Sequence, residues 1–339
     1  MEVKSLFVLP FCVMHPKFVV VDRKVAWLPS CNVSWERWFE GAVRLEGEVV
    51  QRFVRFWEGV WDVHGEGMGG ESDGGDAVSL DLEAGAGIEL VEGNGAAAST
   101  SATPIADLNG STPELSVRFL AHDGSTTIRT LFLPSQYHAN PRFRPFPWQD
   151  PPLPPATPLN NFQLHILDNA TTSIFIQTPN LTSPPVLAAL SSALSRGVAV
   201  KVITNKRLML IEQLVTAGTT TSRCVETLTR SHQSLLQQHD DTQYHDAESG
   251  TRLGRLHISY FNGQPGHGEE EELMPVSSHL KMTVVDGKVL VLGSGNLDRA
   301  SWYTSQELGV AFEDRDMAAR MLDVVERVNQ GRCRVVYDG

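Results

Sequence analysis

Apolar residues in this chain come as short, β-branched runs near both ends, each broken by a polar turn and then resumed. Phe18 to Val21 and Val25 to Leu28 flank Asp22-Arg23-Lys24, and Met282 to Val285 and Val289 to Leu292 flank Asp286-Gly287-Lys288. Runs of this composition predict buried strands, and the turns between them predict two hairpins. Leu115 to Ala121 and Thr126 to Leu133 alternate about His122-Asp123-Gly124 and predict a third. Pro141 to Pro158 then reads as a stiff connector. Beyond it, Ser173 to Gln177 predicts a strand, Pro185 to Ser195 an apolar-faced helix stopped by Gly197, and Val198 to Thr204 a second strand, together a βαβ unit. Leu256 to Phe261 adds a strand. Asp316 to Gln330 closes the chain as a helix with Met317, Met321, Val324, Val325 and Val328 on one face. Residues 219–252 and 262–275 lack such a pattern and are expected to be mobile loops. The class is α/β.

One stretch stands apart. Residues 62–114 hold eleven Asp or Glu, no Lys or Arg and almost no aromatic side chains. Such a composition buries too little apolar surface to offset the entropy of ordering, so a disordered acidic insertion is expected. It also relocates the charge: of the formal net -12, this stretch accounts for -11, leaving about -1 elsewhere. With a near-neutral folded body, net charge gives no sign of a strongly basic face, which argues against a nucleic-acid partner. Cys12, Cys31, Cys224 and Cys333 have no metal-like spacing, pointing to reduced thiols inside the cell and no structural metal. No apolar run reaches the roughly 18 residues of a membrane span, and Pro10 interrupts the signal-like Ser5 to Met14. The expected location is cytoplasmic or peripheral on a membrane.

The two hairpins carry the same polar residues. His15, Lys17, Asp22, Ser30 and Asn32 recur 264 positions later as His279, Lys281, Asp286, Ser294 and Asn296, at identical offsets of two, seven, fifteen and seventeen from each histidine. Matched polar positions in a matched apolar context argue for an internal duplication. In each copy His and Lys lie two apart at the start of a strand, on one face. Cleaving a phosphodiester requires a nucleophile, a proton for the leaving alkoxide and positive donors around the non-bridging oxygens. Two copies supply all three. One histidine can attack phosphorus while the other protonates the leaving alcohol; Lys17, Lys281, Asn32 and Asn296 would clamp the oxygens, with Ser30 and Ser294 as further donors. Asp22 and Asp286, at the turns, are read as braces for the motif loops.

On this pattern, His-x-Lys-x4-Asp-x6-Gly-Ser-x-Asn, the chain resembles the phospholipase D superfamily. Ser-Cys-Asn-Val-Ser-Trp-Glu after the first motif and Asn-Leu-Asp-Arg after the second are similar to its fungal and cardiolipin-synthase-like branch. The second copy matches at every defined position, whereas the first has Pro29 where glycine is usual, which removes a backbone N–H ahead of Ser30. The resemblance implies a duplicated α/β sandwich with mixed sheets and one active site built from both motifs. It further implies a phosphohistidine intermediate with His15 as nucleophile, and no metal or other cofactor. A downstream acid orients each histidine in the family; Glu307 takes that place after Asn296 and Glu40 after Asn32. The implied activity is that of a phosphodiesterase or phosphatidyltransferase on glycerophospholipids, with water or an alcohol as acceptor and peripheral membrane contact.

Two rivals remain. A nuclease-type member would want a basic groove, and the Asp retained in both motifs argues against the tyrosyl-DNA phosphodiesterase branch. A truncated, inactive fragment follows from length: 118 residues separate Asn161 from His279, but 14 precede His15. On equal repeats, residues 1–61 would be the end of an incomplete first repeat and 62–114 the insertion. Residues 115–160 would then be hairpin and connector, and 161–339 a complete second repeat. Such a chain is expected to self-associate. His232 and His239 are expected on a surface helix, and Trp27, Trp35, Trp38, Phe39 and Trp57 mostly in the core.

Overall fold

A computed structural model describes residues 13–32, 36–61, 91–92, 128–135, 153–243, 253–263 and 275–339. The first motif hairpin is β1 (Val19–Val21) and β2 (Val25–Pro29), antiparallel, and β2 pairs in turn with β4 (Ala42–Glu46). The second copy repeats the order: β11 (Met282–Val285) pairs with β12 (Val289–Gly293), and β12 with β13 (Glu307–Glu313). A helix follows each set, α1 (Val49–Trp61) and α7 (Arg315–Asn329). Tight hairpin turns need two residues at positive φ. Asp22 (52°) and Arg23 (55°) supply them in one copy, Asp286 (53°) and Gly287 (57°) in the other.

The two hairpins have different surroundings. β11 sits centrally in a nine-stranded mixed sheet. Its order is β14 (Cys333–Asp338), β9 (Leu256–Phe261), β8 (Ala199–Thr204), β7 (Ser173–Gln177), β11, β12, β13, β6 (Arg129–Ser135) and β5 (Val91–Glu92). β7, β8 and β9 run parallel, the first two joined across helix α3 (Pro184–Ser195), so the predicted βαβ unit is present. By contrast β1 has no strand on its outer side among the described residues, and Val19 and Val21 face solvent.

Strand alternation divides the core. On one face Ile174, Ile176, Val202 and Ile258 pack beneath α2 (Pro158–Asp168), α3 and α5 (Thr221–Gln243), which contribute Ile166, Leu190 and Leu228. On the other, Met282, Val284, Leu290, Leu292 and Val310 meet Ala26, Leu28, Val43, Leu45 and Phe53 of the three-stranded sheet and α1. Each such side chain contributes about 1.5 to 3 kcal/mol on burial. The second interface fixes one motif hairpin against the other.

Two helices depart from the sequence expectations. α2 begins at Pro158, inside the proline-rich connector, because Thr157 caps it through Asn160 N and proline is favourable in a first turn. α5 fills much of 219–252, expected as loop; its narrow stripe of Cys224, Val225 and Leu228 is buried while its other faces are polar. His232 continues that stripe and is buried, not on the surface, its ring nitrogens 2.9 Å from Tyr337 Oη and 2.9 Å from Gly254 O. β6, expected as half of a hairpin, forms and extends the large sheet beside β13, with β5 of the acidic stretch at its edge; the other half of that hairpin, 115–121, lies outside the described residues. The rest of 62–114, like 115–127 and 264–274, lies outside the described residues.

Asp286 is a brace. Its carboxylate accepts from the backbone N–H groups of Thr171, Thr172 and Ser173 and from both threonine hydroxyls, at 2.7 to 3.1 Å. Its slight burial pushes the pKa up, but those donors outweigh it and hold the group at about 2. Asp22, its counterpart, is exposed and makes no such bonds among the described residues, where β1 has no neighbour corresponding to β7 and its preceding loop. Asp286→Ala should therefore cost about 1 to 2 kcal/mol of stability after allowance for solvent screening, and Asp22→Ala next to nothing. A depressed carboxylate pKa stabilises the fold above the unfolded value of 3.8, and that contribution is lost as pH falls towards about 2. Denaturant unfolding of both variants at neutral and acid pH measures this; equal losses in the two would refute it.

Candidate active site

Each histidine is held in the same way. His15 N donates to Gln306 O at 3.0 Å and His279 N to Phe39 O at 2.9 Å, so each motif strand enters beside the residue that precedes the other half's glutamate. The second contact belongs to a parallel pairing of β10 (Ser277–Ser278) with β3 (Trp38–Phe39). The first is a parallel bridge between Met14 and Gln306. The glutamates consequently serve across the halves. Glu307 holds His15 Nδ1 at 3.0 and 2.9 Å through its two oxygens. Glu40 holds His279 Nδ1 at 2.6 Å.

The serines complete each unit from the glutamate's own side. Ser294 Oγ donates to Glu307 at 2.5 Å and accepts from Leu308 N at 3.0 Å. Ser30 Oγ donates to Glu40 and accepts from Gly41 N at 3.0 Å. A carboxylate fixed in this way accepts the Nδ1 proton and fixes the tautomer in which Nε2 carries the lone pair; Lys281 Nζ also lies 2.8 Å from His279 Nδ1. Lys17 Nζ donates to His15 O at 2.9 Å, and Lys281 Nζ donates to His279 O at 2.7 Å and to Ser30 O at 3.2 Å. Both motifs thus meet in one cluster.

The asparagines are not equivalent. Asn296 is buried, its Nδ2 3.0 Å from Asp298 Oδ2 and its backbone N–H on Ser301 Oγ, and its Oδ1 has no partner. Asp298 is also the N-cap of α6 (Arg299–Tyr303) through Ser301 N. Asn32 is exposed and is not brought into contact with the other site residues among those described. Sequence reasoning missed two contributors. Trp38 packs on the His279 ring with centroids 4.7 Å apart, and Asp298 positions Asn296. Trp38 and Glu40 are two apart beside a strand, a spacing that places them on one face and could have found the tryptophan.

Residues 164–328 match the protein-family model described as cardiolipin synthase, PLD-like domain. That span is similar to a phospholipase D-like domain. It contains His279, Lys281, Asp286, Ser294, Asn296 and Glu307, and the first motif lies outside it. No curated protein matches the chain significantly. Among solved structures, Nuc, a phospholipase D family member from Salmonella typhimurium, is 18% identical over 54% of this chain and 92% of its own, with a TM-score of 0.37. NucT from Helicobacter pylori is 14% identical over 51% of this chain and 88% of its own, at 0.34. Phosphatidylserine synthase from Haemophilus influenzae Rd KW20 is 14% identical over 96% of this chain and 63% of its own, at 0.48.

Burial sets the charges of the site. It lowers Lys281 to about 7 and Lys17 to about 8, against the pull of Glu40 and Glu307. His279 is likewise lowered by burial, opposed by its bond to Glu40. Burial pushes Glu307 up, but the charge and hydrogen bond of His15 outweigh it and keep this carboxylate ionised. At neutrality Lys281 is therefore about half protonated and Lys17 mostly so, and an anion between them would favour the charged form of both. Accordingly kcat/KM should fall as pH rises through about 7 and then about 8, as first Lys281 and then Lys17 lose their protons. In Lys281→Arg the first decline should disappear, since guanidinium stays charged. A profile flat from neutrality to the ordinary lysine range would show that neither lysine titrates there.

Proposed function

We propose that this protein is a phosphodiesterase or phosphatidyltransferase acting on glycerophospholipids through a phosphohistidine intermediate. The observation that carries the reading is the crossed pair of His-Glu-Ser units beside two buried lysines. His15, paired with both oxygens of Glu307 and the more open ring, attacks phosphorus through Nε2. A P–N bond forms, the P–O bond to the leaving alcohol breaks, and His279 gives that oxygen its proton. Burial makes His279 a ready donor because it weakens the ring's hold on the proton. His279 then takes a proton from water or an acceptor alcohol, which attacks phosphorus and breaks the P–N bond. Lys17, Lys281 and the second N–H of Asn296 balance charge on the phosphoryl oxygens in a site shielded from water. The lipid substrate is supported by the description of the matching family model and by the lack of a strong net positive charge.

The test is a substrate panel of defined phospholipids, single-stranded DNA and RNA, with choline, glycerol or nucleotide release as the readout. Rapid quench with labelled phospholipid should trap label on His15. Nucleic-acid cleavage without lipid turnover would replace this reading with the nuclease one, and absence of both activities would favour an inactive chain.

A further inference from the structure

Helix α4 (Leu210–Ala217) is inverted in polarity. Its inward residue is polar: Gln213 is buried, donates to Leu208 O at 2.6 Å and accepts from Thr221 N at 2.6 Å and Thr221 Oγ1 at 3.0 Å. Its outward residues are apolar. Ile211, Leu214 and Val215 are 81%, 49% and 42% exposed, and at i, i+3 and i+4 they form one stripe. Exposed Lys206 and Arg207 immediately precede the helix, which the chain enters through Met209 at a φ of 54°. A surface helix that turns its polar side to the protein and its apolar side to solvent, with cations at its border, has the makeup of an interfacial membrane helix.

The location fits that use. α4 packs against α6, the helix that follows Asn296. Asn180 lies between Gln213 (2.8 Å) and Asp298 (3.4 Å), so the inner side of α4 adjoins the Asp298–Asn296 pair. Glu212, half-buried on the same helix, lies within electrostatic reach of Asp298, His15 and Glu307. No described helix is long and apolar enough to cross a membrane, and a short helix of this kind would lie in the surface of a bilayer.

We propose that α4, with Lys206 and Arg207, docks the protein on an anionic phospholipid surface and brings the catalytic cluster against the head groups. Ile211, Leu214 and Val215 enter the head-group boundary, and the two cations meet lipid phosphates. This docking rests on the lipid reading of the site and adds the element that delivers the substrate. A lipid could then reach the histidines with its acyl chains still in the bilayer.

The experiment is flotation of the full chain with vesicles of phosphatidylcholine, with and without phosphatidylglycerol. In parallel, turnover is measured on the same vesicles and on soluble bis(p-nitrophenyl) phosphate. The unaltered protein should float with the anionic vesicles. Ile211→Glu with Leu214→Glu should lower partition and vesicle turnover by about tenfold or more, and Lys206→Glu with Arg207→Glu should do so at low salt. Both variants should keep their unfolding temperature and their turnover of the soluble diester. Partition unchanged in the apolar variant, with lipid turnover intact, would overturn the docking and leave the lipid reading standing. Docking lost in the variants, with no lipid turnover by the unaltered protein, would overturn the lipid reading instead. A dimer that the apolar variant converts to a monomer, with vesicle partition unchanged, would assign the stripe to a second copy of this chain and overturn the proposal.

Discussion

Changing either His15 or His279 to alanine should reduce phosphodiester turnover by at least about a thousandfold, since each removes a participant in the one bond-breaking event. The double variant should be scarcely worse than the poorer single one, because two groups working in one step do not contribute independently. His279 is buried against Trp38, so its loss could unsettle packing. His279→Gln keeps most of the volume and separates the effects: it should unfold at the temperature of the unaltered protein and still be inactive. Stopped assays with bis(p-nitrophenyl) phosphate give both numbers. Losses that multiply in the double variant would mean that the histidines act in separate reactions.

The second large effect comes from the carboxylates. Glu40→Gln and Glu307→Gln should each cost about 10² to 10⁴ in kcat, the range found when the group behind a catalytic histidine keeps its shape but loses its charge. The crossed geometry makes a sharper claim. Glu40→Gln should alter the tautomer of His279 and leave that of His15 alone, whereas Glu307→Gln should do the reverse. Nitrogen-15 NMR of imidazole-labelled protein reads both rings at once. If each glutamate instead governed the histidine of its own motif, the pattern would be exchanged and the crossing refuted.

What the sequence could disclose followed from how local each signal was. The β11–β12 hairpin was legible because Val-rich runs flank an Asp-Gly turn whose positive φ values those residues tolerate. β7, α3 and β8 were legible for a similar reason, a change from strand to helical period between Pro and Gly stops. α5 was not. A helix on the surface of a sheet needs only one buried stripe, and in this helix His232 occupies a place on that stripe where an apolar residue would have given it away. α4 was hidden by its inversion, which leaves its apolar residues outside and its glutamine in. At the site, the paired offsets identified the histidines, lysines and serines, and the family resemblance, not the offsets, implied both glutamates. They carried nothing about which glutamate meets which histidine, because those contacts span 292 and 239 residues. Asn32 and Asp22 show the limit of repeat reasoning. A duplicated position inherits its residue, but its partners come from the surroundings, and here the surroundings of the two hairpins differ.

The crossing has a consequence for synthesis. His15 leaves the ribosome 292 residues before Glu307, and its Nδ1 gains this carboxylate only when Glu307 has emerged and β13 has joined the large sheet. Closing a contact of that span carries an entropy cost that only the finished interface between the two sheets can offset. A nascent or prematurely terminated chain therefore carries His15 without its acceptor. The cluster is assembled once, by completion of the fold.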